Sequence, residues 1–274
     1  MSAFCVALCG VIHCAAPSAR LLRLLILLGL SASFSACQCG LARKFLKAKP
    51  APVTPFLTQR QNMRPALERV PFHYVWRNFD GQVQQRVRQR HLLYIAPVEL
   101  GYLQPVSKRL ARWEIENGWT PRQEREMATY LYQAYVTAFA RSPAPRWILT
   151  DHPGPDTLTL ELALTQLNPT SVRGNAGKLA AKFTVGPLSG LLGVFTKGNI
   201  AIEGKVTLSG TGIDVFQFSD NEKDKMTLYS TRDFRPYAHA QVAIDEWAQQ
   251  FERFTRTVPT EKVKESAFFT LTPW

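Results

Sequence analysis

Thr157 to Leu167, TLTLELALTQL, decides the fold. Leu158, Leu160, Leu162 and Leu164 alternate with Thr159, Glu161 and Ala163. A period of two places every second side chain on one side of a strand, so this segment buries a leucine face against something apolar. Asn199 to Leu208 repeats the pattern, with Ile200, Ile202, Val206 and Leu208 inward and Gly204 where a side chain is missing. Ser209-Gly-Thr-Gly212 reads as a hairpin turn and Ile213 to Phe218 as the returning strand. Met226 to Tyr229 adds a further short strand. Upstream, Leu92 to Val98 is a compact apolar run ended by Pro97, and Trp147 to Thr150 is a short strand before the turn His152-Pro-Gly-Pro155.

Two helices accompany these strands. Thr120 has the chemistry of an N-cap, Pro121 suits the first helical position and Gln123 completes a capping box. Met127, Leu131, Ala134 and Ala138 then form one apolar stripe, closed by Arg141 and Pro143. Ala240, Ile244, Trp247, Phe251 and Phe254 give a second stripe, in which Trp247 reads as core. The pattern predicts an α+β fold: a mostly antiparallel sheet of about four to six strands, with the two amphipathic helices packed on one face. Phe72, Tyr74 and Trp76 fall at period two and predict a short strand docking on the domain edge, with Asp80-Gly81 turning the chain after it.

The N-terminal part is of another kind. Arg20 and Arg23 precede the apolar run Leu24 to Leu30, and Ser35-Ala36 lead into Cys37. Positive end, greasy middle and small-residue exit are the order of a secretory leader, and the run falls short of the about 20 residues that span a bilayer. Ser-Ala-Cys resembles a lipobox, with Phe34 where leucine is usual; cleavage before Cys37 leaves that cysteine to carry acyl chains. The division expected is a signal peptide over 1–36, a lipidated Cys37 with a basic, proline-rich tether over 37–70, an α+β domain over 71–256 and a C-terminal tail over 257–274. Gln38 after the modified cysteine points to the outer membrane, facing the periplasm. With Cys5, Cys9 and Cys14 in the leader and Cys37 acylated, Cys39 stands alone, so no disulfide framework or metal-ligand spacing is available.

The net charge of +12 is unevenly placed. Residues 41–90 carry 11 Lys/Arg against 2 Asp/Glu, and residues 91–274 carry 20 against 19. A nucleic-acid-binding domain would hold its basic patch on the folded part, which argues against that class. Beside a lipid anchor the basic segment is either attracted to anionic head groups or a solvated linker kept extended by its charges.

Several features resemble bacterial lipoproteins grouped as domain of unknown function 3313. They are the leader with Cys37, the Tyr94-to-Val98 segment ending Ala-Pro-Val, the proline-glycine turn before the leucine strand, Ile202-Glu203 with Thr211-Gly212, and Trp247-Ala248. The resemblance covers about residues 71 to 256. It implies location and architecture and no mechanism. Ala96 stands where the family has an acidic residue, and Leu208-Ser209 where it has an aspartate before the Thr-Gly turn.

Chemistry-bearing motifs are sparse, and no catalytic residue, metal site or cofactor is expected. Gly174-Asn-Ala-Gly177-Lys178 lacks the first glycine and the Ser/Thr of a phosphate loop, and Ser189 lacks nucleophile-elbow spacing. Asp151-His152 precedes prolines and reads as a turn. Glu161 and Glu203 lie on polar faces of two strands. If neighbours, they form a carboxylate pair able to share a proton or hold a cation; an ion pair with Lys205 is the plainer reading. The apolar loop 179–196, with Leu188, Leu191, Leu192 and Phe195, either meets a membrane or partner or packs on its own domain, the second being the commoner case. The function expected is a non-catalytic envelope lipoprotein that binds another envelope protein. Alternatives are an auxiliary lipoprotein of an envelope lipid-transport system, and an envelope-polymer hydrolase using Glu161, Glu203 or His152.

Overall fold

The computed structural model describes residues 50–66, 70–104, 121–168, 198–223, 226–227, 237–258, 261–263 and 269–270. All lie in the second of the two compact units into which the chain divides, Lys47–Trp274. Seven strands form one sheet: β1 (Arg64–Pro65), β2 (Tyr74–Arg77), β3 (Leu92–Ile95), β4 (Ile148–Thr150), β5 (Thr157–Asn168), β6 (Asn199–Leu208) and β7 (Ile213–Lys223), in the order β1-β2-β7-β6-β5-β3-β4. A separate two-stranded ladder pairs β8 (Met226–Thr227) with β9 (Phe269–Thr270). The helices are α1 (Gly81–Gln89), α2 (Pro121–Ala140) and α3 (Ala238–Arg256).

The α+β class stands, with two corrections. The sheet is larger than expected and mixed, because β3 runs parallel to both β4 and β5. Helix α2 links β3 to β4, and a helical crossover is what brings consecutive strands into parallel register. The second correction is a third helix. Asp80 was expected to turn the chain and instead caps α1, accepting from the N–H groups of Gln82 and Val83 at 2.8 and 3.0 Å. Val83 and Val87, one helical turn apart, are buried beneath it.

The core fills one side of the sheet. Leu158, Leu160, Leu162 and Leu164 are fully buried, with Ile202, Val206 and Phe218 beside them. Helices α2 and α3 close this side together. On α2 the inner stripe is Met127, Leu131, Tyr135 and Phe139, so the expected Ala134 and Ala138 lie at its margin. The larger side chains take the centre because they bury more apolar area. On α3 the expected stripe holds, with Phe254 at the edge.

Gly204 lies between Leu162 and Phe218 in register. A β-carbon there would overlap the Phe218 ring. That ring stacks on Phe72 and Phe251 at 4.3 and 5.2 Å between centroids, which leaves it little room to move. Gly204→Ala is expected to lower the unfolding free energy by about 2 kcal/mol through overpacking. The check is a urea midpoint that falls with an unchanged m-value.

The side opposite the helices is also covered, which alternation alone did not anticipate. Ala163 of β5 is buried there. Residues 50–66 pass over this face with Phe56, Leu57 and Met63 buried, and Val53, Tyr74 and Trp76 packed beside them. The expected tether therefore ends earlier than its proline and arginine content suggested, since its apolar residues belong to the domain. Phe72 precedes β2 and enters the helix-side core, while Tyr74 and Trp76 face this strap. The leader, Cys37, and the loop with Leu188, Leu191, Leu192 and Phe195 lie outside the described residues, as do Thr120 and most of the tail.

Candidate functional site

Sheet register builds the strapped face row by row. Ala163, Glu203, Ser219 and Tyr74 stand side by side across four strands. Glu161, Lys205, Gln217 and Trp76 form the next row. Glu161 and Glu203 are thus on one face and diagonal to each other, and each is taken by a different group. Lys205 pairs with Glu161 at 3.1 Å and lies 4.8 Å from the centre of the Phe56 ring. Glu203, 1 % exposed, accepts from the Thr54 backbone N–H and from Thr54 Oγ1, both at 2.6 Å.

Glu203 and Gln217 are the two most deeply buried of the strap's fastenings. The Ala51 N–H donates to Asn221 Oδ1 at 3.2 Å and the Gln59 N–H to Gln217 Oε1 at 3.0 Å. Gln217 Nε2 donates to Thr58 Oγ1, whose hydroxyl donates to Asp214. The segment closes some backbone bonds itself, such as Asn62 N–H to the Gln59 carbonyl, and polar side chains standing up from β6 and β7 take others. Burial pushes the Glu203 carboxyl above its ordinary value, while the two Thr54 bonds pull it down without cancelling the effect. Chemically the arrangement is a clamp that holds a peptide segment.

A second polar cluster is buried on the helix side. Asp220 receives Trp247 Nε1–H of α3 at 2.8 Å, and its other oxygen lies 2.6 Å from His73 Nδ1. Tyr135 of α2 is fully buried close by, and burial, then the Asp220 carboxylate, hold its hydroxyl well above the usual phenol value. One carboxylate thus joins the approach to β2, strand β7 and helix α3. Between the helices, Tyr130 donates to both oxygens of Asp245 at 3.1 and 2.9 Å. Burial and that bond push Tyr130 up to about 12.

The sequence reading missed Thr54, His73 and Asp220 as partners. Strand β7 was expected to end at Phe218, because Ser219, Asp220 and Asn221 look like a loop; all three are buried in the strand. The signal available was position: Asp220 continues the inward series Phe216, Phe218. Trp247 was expected as core and is fully buried, yet it also makes a directed bond. His152 lies exposed in the turn between β4 and β5. Among the described residues no group of three or more His, Cys, Asp or Glu could hold a metal ion. Among the described residues, no helix is long and apolar enough to cross a membrane.

A family model described as protein of unknown function (DUF3313) matches residues 54–251, from the Thr54 that grips Glu203 to the Phe251 of the aromatic core. No curated protein matches the chain. Among solved structures, the chain is similar to the PelC L103M dodecamer from Paraburkholderia phytofirmans, at 7 % identity over 60 % of this chain and 88 % of that one, with a TM-score of 0.32.

Proposed function

The chain belongs to the family described as protein of unknown function DUF3313, and from that premise we propose that it is a lipid-anchored envelope lipoprotein whose α+β domain is a binding or accessory module. The observation that carries this reading is the stretch Arg20 to Cys39, with its arginines, the Leu24–Leu30 run and Ser35-Ala36 before Cys37. Acyl chains on Cys37 would hold the chain at a bilayer, at about 0.8 kcal/mol per buried methylene. The strap is compatible with such a tether: the first described segment after Cys37 is held to the sheet by Glu203, Gln217 and Asn221. The buried carboxylates Glu203 and Asp220 each fasten one part of the fold to another, and the half-buried Glu161 pairs with Lys205.

The experiment is metabolic labelling with a palmitate analogue. Wild type is expected to incorporate label and fractionate with membranes, and Cys37→Ala to lose both. Equal labelling of the two would end the proposal.

A further inference from the structure

We propose that the face formed by α1 and the adjacent sheet edge is a contact surface for anionic phospholipid. This rests on the anchored reading only to bring the domain to a bilayer. Phe79, immediately before the Asp80 cap, is 85 % exposed, the most exposed large apolar side chain described. Behind it α1 presents Arg86 and Arg88 to solvent, on either side of a crest of Gln82, Gln85 and Gln89, while Val83 and Val87 hold it to the core. Arg77, also exposed, donates to Gln84 at 2.7 Å, and Gln84 is one turn from Arg88. Arg64, opposite Val75 in register, extends the same side along the edge.

The acidic groups facing this surface are few and occupied. Asp80 is spent on the N-cap, and Asp156 pairs with Arg90 at 2.8 Å. An exposed aromatic side chain at the start of a short helix rooted by two valines, with an arginine on either flank of that helix, is suited to lie in an interface. Its ring can enter the head-group boundary while guanidinium groups take phosphates. The basic charge after the leader is thus partly a feature of the folded domain, exposed at Arg64, Arg77, Arg86 and Arg88.

The test uses the full chain with vesicles of phosphatidylcholine alone or mixed with phosphatidylglycerol, read by flotation and by hydrogen exchange of residues 79–89. The mixed vesicles are expected to slow exchange in this segment severalfold, and neutral vesicles to leave it unchanged. The slowing should vanish in Arg86→Gln/Arg88→Gln and in about 1 M salt, where the Debye length is about 3 Å. It should weaken in Phe79→Ser. Each arginine removed should cost about fivefold in partitioning. Urea midpoints confirm that the variants are folded. Flotation with both compositions but equal exchange in the two would overturn the proposal and leave the anchor standing. Flotation with neither would overturn both. Slowing of the same size by soluble heparin, indifferent to Phe79→Ser, would overturn lipid as the occupant.

Discussion

Asp220→Ala is expected to cost about 3–5 kcal/mol of stability, a larger loss than that expected at Glu203. The carboxylate is buried and holds His73 Nδ1 at 2.6 Å and Trp247 Nε1 at 2.8 Å. Removing it strands both, and each buried group without a partner costs about 1–3 kcal/mol. The effect is not local, since His73 leads into β2 at one side and Trp247 anchors α3 over the sheet. Asp220→Asn keeps an acceptor for the indole N–H and is expected to lose less than half as much. Urea unfolding followed by tryptophan fluorescence checks both variants. If Asp220→Ala unfolds with a midpoint within error of the wild type, the cluster is not a structural tie.

Glu203→Ala follows, with an expected loss of about 2–4 kcal/mol. Two donors on Thr54 would be left buried under the strap. Exchange of the amides in residues 51–63 should rise well above that of β5 and β6, because the clamp is lost while the sheet remains. The pH dependence carries a sign of its own. Burial raises the folded-state value of Glu203 above its ordinary 4.5, so the folded chain holds this proton to higher pH than the unfolded chain does. Its stabilising contribution is complete below 4.5 and is lost as pH rises through the folded-state value. Glu203→Gln keeps one acceptor for the Thr54 N–H and can donate to its hydroxyl, and it cannot titrate. Its stability should therefore be flatter than the wild type's across that interval. A wild type that gained stability there relative to Glu203→Gln would contradict this assignment.

Much of the layering was legible because it is written in period. The leucines of β5, the Gly204 gap in β6 and the Trp247 stripe of α3 each report one buried face, and each holds. Pairing was less legible, since alternation says which way a side chain points and not which strand stands beside it. The parallel placement of β3 and β4 could have been read from the helix between them. Helix α1 was hidden by its composition, with only Val83 and Val87 to mark an inner side among glutamines and arginines. The strap was hidden for the opposite reason. Proline and arginine around Phe56, Leu57 and Met63 look like linker, and nothing local shows that Glu203 and Gln217, far along the chain, supply its missing backbone partners. Glu161 and Glu203 were read on the polar faces of two strands, with their adjacency left open; the register makes those strands neighbours, and Glu203 is buried there. Their roles depended on Thr54 and Lys205, which only the three-dimensional register could assign.

In the proposed arrangement an acylated Cys37 is joined through the clamped strap to the sheet. Its most direct test is mass spectrometry of the N-terminal peptide of the protein taken from the membranes of the cell that makes it. The account predicts a chain that starts at Cys37 and carries the mass of a diacylglyceryl group on that residue. A chain from the same membranes with Cys37 unmodified and Arg20 to Ala36 still attached would contradict it.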